Sequence, residues 1–316
     1  MLFIKETPAA TIIPMAQAIE AVEESLAETS RGNAVVLPRR RIHHANRMLF
    51  GVLPGSFKGA MGAYLQTDQD RAIHHETVIL YSVDSGEPLI LFQDCGINEL
   101  RTGAAGGVGA KYLAPPDATR VAVIGSEKHA FTQLEAVCAV RPIETVRVFS
   151  PTPANRLRFA ERAGNALDLE ATAVNGAEAA LDGADIAITA TNAQSPVFEG
   201  RALRPGMHVT SIANGDKTRV RAEIDHETMT RAARVCVTSR STLETNQSDV
   251  FRAVRDGVLA WDGVCELGDV ILGNAPGRTA PEEITLFKLQ GLGIMDLAVG
   301  LRAYEALKDS GSVRRL

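Results

Sequence analysis

Between residues 120 and 150 the chain carries side chains suited to holding a phosphorylated ligand. Gly125, Glu127 and Ala130 stand at the three positions of a Gly-x-Gly-x-x-Gly/Ala turn, with Ser126, Lys128 and His129 between them. A turn of this kind brings helix N–H groups to a dinucleotide pyrophosphate, and its second glycine lets the backbone approach the phosphates. Here a carboxylate occupies that second place. An unpaired acid buried there would cost about 1–3 kcal/mol, or roughly 5- to 150-fold in affinity. Lys128, His129 and the free N–H groups of a helix start work against that repulsion. Other reactive residues form no set. His43-His44 and His74-His75 are adjacent pairs; neighbours on a strand face opposite ways, and their separation matches no compact ligand motif, so no metal is expected. Ser126 and Ser195 lack the Gly-x-Ser-x-Gly setting of a hydrolase nucleophile. Cys95, Cys138, Cys236 and Cys265 form no Cys-x-x-Cys pair and read as reduced, packed thiols.

The elements that must position the turn are readable around it. Arg120–Ile124, the turn, a helix near 129–140 and Thr145–Phe149 read as strand, turn, helix and strand. Further strands are expected at 184–190, 208–212 and 235–238, with helices near 153–165 (ended by Gly164), 176–182 and 226–233. Short apolar strands alternating with helices predict a parallel sheet covered on both faces. Upstream, a helix at 14–31 precedes strand-like runs at 48–53, 62–67, 76–82 and 88–93, with Asp84-Ser-Gly86 as a hairpin turn. A helix from Ile97 to Leu113 follows. Its run Thr102-Gly-Ala-Ala-Gly-Gly-Val-Gly-Ala is poor helix-forming sequence in isolation and predicts close packing against another backbone. Pro115-Pro116 marks the expected domain boundary. The tail, 282–308, reads as one or two helices broken at Gly291-Leu-Gly293. The fold class is therefore α/β: a Rossmann-type doubly wound domain over 116–290, and a second α+β domain over 1–115 completed by about 291–316.

Bulk properties agree with a two-domain enzyme-sized chain. The 316 residues are 45% hydrophobic, enough for a large core. Net charge is −5 with signs interspersed, which favours neither nucleic acid nor a membrane surface. No apolar run reaches the length of a bilayer span and no secretory signal is visible, so a cytoplasmic location is expected.

The motifs resemble those of the ornithine cyclodeaminase/mu-crystallin family over nearly the whole chain. The resemblance rests on Leu100-Arg101-Thr-Gly-Ala-Ala, Ala110-Lys-Tyr-Leu-Ala114, the strand-turn unit at 120–136 and Val148-Phe-Ser-Pro-Thr-Pro-Ala-Asn. It continues through Ala184–Thr191, Pro205-Gly-Met-His-Val209, Gly268–Thr279 and Thr285–Ile294, where Ala-Pro-Gly-Arg-Thr and Thr-Leu-Phe-Lys are the most specific blocks. It implies a homodimer with a nicotinamide-binding domain, acting by hydride transfer on small amino or imino acids. It implies that Arg41 and Arg101 hold the substrate carboxylate, a task for which the planar guanidinium fork is suited. It further implies an aspartate after the fourth Rossmann strand as the proton-transfer residue; Asp216 falls within one residue of that position and Asn214 competes with it.

Several positions depart from the family pattern. Val52 stands where the ornithine-cyclising members have a glutamate, and Tyr64 where they have a lysine. Tyr64 can donate a hydrogen bond at the substrate but is neutral at pH 7. Ser150-Pro-Thr152-Pro-Ala-Asn155-Arg156 offers no acid for the cofactor ribose, while Arg156 is suited to a 2′-phosphate, so NAD(H) and NADP(H) both stay open. The cofactor candidates are thus Gly125, Ser126, Lys128, His129, Ala130, Ser150, Thr152, Arg156, Thr189, Thr191 and Ile212. Two classes of function remain: an NAD(P)-dependent amino-acid dehydrogenase or imine/ketimine reductase, favoured by the arginines and Asp216, and a catalytically lapsed crystallin-like ligand binder, favoured by the altered turn. Ornithine cyclodeaminase proper is the further alternative.

Overall fold

The structure is a computed structural model that describes residues 1–69, 73–215, 220–243 and 247–310, and the backbone of 314–315. In chain order its N-terminal elements are β1 (Leu2–Lys5), α1 (Met15–Ser30), β2 (Val35–Val36), β3 (Arg40–His43), β4 (Leu49–Phe57), β5 (Ala60–Gln69), β6 (Ile73–Ser82), β7 (Pro88–Gln93) and α2 (Ile97–Leu113). The middle of the chain forms β8 (Arg120–Ile124), α3 (Lys128–Cys138), β9 (Thr145–Phe149), α4 (Pro153–Leu167), β10 (Glu170–Ala173), α5 (Ala177–Leu181), β11 (Ile186–Thr189) and β12 (His208–Ser211). Then come α6 (His226–Arg231), β13 (Arg234–Val237), α7 (Asp249–Arg255), β14 (Val264–Glu266), α8 (Leu267–Ile271), β15 (Thr285–Lys288), α9 (Gly293–Leu307) and β16 (Arg314–Arg315).

Two compact units share these elements: Met1–Arg101 with Gly291–Leu316, and Thr102–Gln290. The division falls inside α2, ahead of Pro115-Pro116, which follow the helix end instead.

The first unit holds a sheet in the order β16-β1-β7-β6-β5-β4-β2, with β3 also paired to β4. Period-2 alternation decides which side chains are covered. On β4, Leu49, Gly51 and Leu53 are buried and their neighbours less so; on β6, Glu76, Val78 and Leu80 are buried. Helix α9 packs on β4, β5 and β6 and also against α1.

The second unit is an all-parallel sheet in the order β10-β9-β8-β11-β12-β15-β13-β14. Its central strands β8, β11, β12 and β15 are almost wholly buried because both faces are covered. Ala122 and Ile124 join one buried cluster with Leu181, Leu203 and Val209; Val121 and Val123 join another with Leu134, Val137 and Phe159. The chain runs outward from β8 to β9 and β10 on one side, and from β11 to β12 on the other. The reversal between β8 and β11 opens the crevice in which doubly wound sheets bind ligands.

Helix α2 explains its own composition. A Cβ at Gly103 would lie 2.5 Å from the Thr132 carbonyl oxygen of α3, one at Gly106 1.8 Å from Gln133 Oε1, and one at Gly109 2.4 Å from the Phe287 ring of β15. The glycines recur every third residue on the face that meets these neighbours.

Two expectations need correction. Residues 285–288 form a strand inside the parallel sheet, so only α9 of the expected tail helices exists as read. A short apolar run looks alike in a buried strand and a buried helix. Gly164 does not end α4; the helix continues to Leu167 and stops at Asp168, which adopts the left-handed conformation (φ 52°). Strands β1, β10 and β14 and helix α7 were not anticipated, being short and weakly patterned.

Candidate active site

The turn after β8 is built to leave bare backbone. Gly125 has φ +123°, and a Cβ there would sit 2.2 Å from the Ala190 carbonyl oxygen, so only glycine fits where β8 and β11 separate. Its N–H donates to the Phe149 carbonyl (2.9 Å), fixing the loop to β9. Glu127 is exposed, at the N-cap of α3 in extended conformation, and its side chain caps nothing. Its carboxylate therefore stays in water, which removes the burial penalty, and it does not occupy the N–H groups of the helix start. This geometry fits a pyrophosphate.

The other cofactor candidates divide. Lys128 is exposed and His129 half-buried beside the turn. Ser126 Oγ donates to Ser150 Oγ (3.1 Å), linking the turn to the end of β9, while Thr152 is exposed at the start of α4. Arg156 donates to the Ser150 carbonyl (2.9 Å) and to Asn175 Oδ1 (2.7 Å), and stacks 5.9 Å from the centre of the Phe149 ring. It braces the loop that would meet a ribose. Two candidates are fully buried. Ala130 is fully buried and serves close packing of α3 on the sheet. Thr189 is also fully buried, its hydroxyl donating to Glu223 (3.0 Å). Thr191 and Ile212, at the ends of β11 and β12, stay partly exposed.

Asp216 lies outside the described residues. Its competitor Asn214 donates from Nδ2 to the carbonyls of Ile212 (2.8 Å) and Leu289 (2.7 Å). Those bonds tie the ends of β12 and β15 together, and an amide titrates no proton.

In the first unit, charged groups converge on the buried face of the sheet. Arg101, 2% exposed, donates from Nε to Asp296 Oδ1 of α9 (2.9 Å). A Cβ at Gly291 would lie 2.7 and 2.8 Å from the two terminal nitrogens of Arg101 and 3.0 Å from Arg39 Nη2. The absence of a side chain at 291 thus gives two guanidinium heads room side by side. Arg39 Nε is buried without a partner, and burial together with the charges of Arg41 and Arg101 pushes its pKa down to about 9. Arg41, half-buried on β3, pairs with Gly51 and shares this charge field.

Tyr64, 1% exposed, sits on the same face; burial first, then the charges of Glu76 and Asp296, holds its phenol well above its ordinary pKa and hence neutral. Glu76, 6% exposed, is pushed up to about 7 by burial and by the nearby charges of Glu99 and Asp296. Burial likewise raises Asp296, against the pull of Arg101. Arg39, Arg41 and Arg101 share this charge field while burial works against the charged forms of Glu76 and Asp296, an arrangement suited to an added carboxylate.

Arg39, Glu76, Asp296 and Gly291 escaped the sequence reading. The signal for Arg39 was available: Arg39 and Arg41 share a face by strand alternation, with exposed Arg40 between them. Val52 pairs with Arg40 and lies on the face opposite Leu53 and Tyr64, so the missing glutamate there does not alter this cluster.

Comparison with known proteins gives the same frame. The sequence profile of the ornithine cyclodeaminase/mu-crystallin family matches residues 5–311. A Delta(1)-pyrroline-2-carboxylate reductase of Bacillus cereus is 30% identical over 98% of this chain and 98% of its own length. The structure of the Thermococcus litoralis Delta(1)-pyrroline-2-carboxylate reductase in complex with NADH and L-proline superposes with a TM-score of 0.93 at 31% identity, covering both chains completely. An archaeal alanine dehydrogenase dimer with bound NAD gives 0.92 at 27% identity, covering all of this chain and 98% of that one. The chain belongs to the ornithine cyclodeaminase/mu-crystallin family.

Proposed function

We propose that the protein is a nicotinamide-dependent oxidoreductase that reduces a small imino acid, or oxidises the matching amino acid, with NAD(H) as its cofactor. The observation that carries this reading is the pair of guanidinium heads of Arg39 and Arg101 beside the bare backbone of Gly291, in a chain that also carries the Gly125 turn. The relatives' substrates give the class: a cyclic imine bearing a carboxylate, of the Delta(1)-pyrroline-2-carboxylate kind.

Each group has a task in this reading. Arg101, oriented by Asp296, and Arg39 take the substrate carboxylate by charge-assisted hydrogen bonds. Arg41 adds positive potential, and the neutral phenol of Tyr64 donates a hydrogen bond. The backbone at Gly125 and the start of α3 hold the pyrophosphate, with Ser126, Lys128 and His129 alongside. Bound nicotinamide supplies or accepts the hydride. Asp216 gives the proton to the imine nitrogen or takes it from the amine. The protein acts as a homodimer through its first unit. Exposed apolar side chains there (Val35, Leu37, Ile42, Met61, Ile73 and Val83) support an interface, as does the dimeric alanine dehydrogenase relative.

A catalytically lapsed ligand binder is disfavoured because Glu127, the main reason for it, points into solvent. Ornithine cyclisation is disfavoured by Tyr64 in place of the lysine.

The test is titration with NADH and NADPH by cofactor fluorescence, then NADH oxidation with Delta(1)-pyrroline-2-carboxylate and open-chain imines. Micromolar NADH binding and turnover of a carboxylate-bearing imine are expected. Arg101→Lys keeps the charge but loses the fork, so kcat/KM should fall at least about tenfold. No binding of either dinucleotide at millimolar concentration would sink the reading.

A further inference from the structure

Glu223 is fully buried and accepts five hydrogen bonds. Oε1 accepts from the Thr191 N–H (2.6 Å). Oε2 accepts from Thr189 Oγ1 (3.0 Å), Ser211 Oγ (2.8 Å), Ile212 N–H (3.0 Å) and Ala213 N–H (2.9 Å). Its own N–H and that of Ile224 donate to Asp249 Oδ2 (2.9 and 3.2 Å). Asp249 pairs with buried Lys288 (3.3 Å), and Lys288 Nζ donates to Ser211 Oγ (2.9 Å), closing a ring of buried polar groups.

A buried carboxylate is tolerated when its lone pairs are saturated, and this one is. The donors have a pattern. They lie at the ends of β11 and β12 and on the first residues of the loops that follow, at the carboxyl edge of the sheet. A single anion therefore gathers the ends of both strands and the residues that follow them, alongside the bond from Arg221 to the Asn192 carbonyl. A carboxylate suits the place best, because a glutamine N–H₂ group would face either the Thr191 N–H or the N–H groups of Ile212 and Ala213, none of which can accept. In a doubly wound fold made of two mononucleotide halves, the half containing β8–β10 takes one nucleotide and the half beginning at β11 takes the other. With the Gly125 turn and the ribose loop in the first half, the loops held by Glu223 belong to the nicotinamide end.

We propose that Glu223 is the positioning residue of the nicotinamide end of the dinucleotide site, acting through the backbone of 191 and 212–213 and not by touching the ligand. The inference rests on the nicotinamide reading above.

Two ligands separate this role from a general structural one. NADH engages both ends of the site; ADP-ribose lacks the nicotinamide ring and engages only the other. In calorimetric titrations, Glu223→Gln should weaken NADH about tenfold or more while ADP-ribose changes by less than about twofold. Should Glu223→Gln not fold, Ser211→Ala removes one donor and the Lys288 contact, and should show the same selectivity at smaller size. Equal weakening of both ligands, or no weakening of NADH, would overturn the assignment. A parent protein that binds ADP-ribose but gains nothing from the nicotinamide ring would overturn it too. Parent protein that binds neither ligand overturns the nicotinamide reading itself, and this inference with it.

Discussion

Arg101 and Glu76 illustrate how much the buried face of the first unit depends on charge. Arg101 has a carboxylate partner in Asp296, whereas Glu76 Oε2 has no hydrogen-bond partner. The ordinary glutamate pKa is 4.5, and in the folded protein Glu76 is pushed up to about 7. Between those values the native state keeps a proton that the unfolded chain has released. Raising the pH through that window therefore costs stability, up to the order of 3 kcal/mol by pH 8. Glu76→Gln removes this cost. Its urea midpoint should exceed the parent's at pH 8, and the advantage should vanish by pH 4; an equal difference at both pH values would show that Glu76 does not titrate in this window. Asp296→Ala is expected to act oppositely, leaving Arg101 buried and uncompensated at a cost of about 3–5 kcal/mol, read as a lowered urea midpoint at neutral pH.

At the scale of elements, what was legible was local. The β8-turn-α3-β9 unit, α2 and the β6–β7 hairpin all follow from spacing and turn residues within a short stretch. The glycines of α2 even announced close packing, though not its partners. Less legible were groups whose role depends on distant chain. Glu223 sits in Arg221-Ala-Glu-Ile-Asp225, which reads as an ordinary polar connection, and its donors come from the ends of β11 and β12 and the residues just after them. Arg278, in the most family-specific block, donates to the carbonyls of Leu113 (2.8 Å) and Glu283 (2.7 Å). It is a structural brace, so the block reported ancestry and fold without marking the chemistry. Helix α2 yields a sign test. Gly→Ala inside a helix ordinarily stabilises by up to about 1 kcal/mol. At Gly106 the new methyl group would meet the fully buried Gln133, so Gly106→Ala should instead lower the thermal midpoint, costing about 1–3 kcal/mol. A raised midpoint would mean that Gln133 yields.

Across the whole molecule, the sheet core carries its own acid sensor. His208 is fully buried on β12 between Thr285 Oγ1 (2.9 Å) and Thr210 Oγ1 (3.0 Å). Burial, aided by Arg278 and Arg141, pushes its pKa down to about 3 from an ordinary 6.5. Below pH 6.5 the unfolded chain binds a proton that the native state refuses, so stability falls as the pH drops toward 3, by as much as about 4–5 kcal/mol. His208→Gln should flatten the acid limb of the stability profile between pH 6.5 and 4, even if it is less stable at pH 8; an unchanged slope would show that acid sensitivity lies elsewhere.

The position of β15 sets a timetable for synthesis. Strands β10, β9, β8, β11 and β12 can pair in turn as they leave the ribosome, since each finds its neighbour already made. Strand β13 cannot join them, because β15 stands between it and β12. Until residues 285–288 emerge, β12 is an open edge, and β13 with β14 waits as a detached pair. A long-range pairing of this kind makes the last step slow and leaves the growing chain exposed to wrong partners. A nascent chain stalled shortly before residue 285 would be the form that most needs a chaperone.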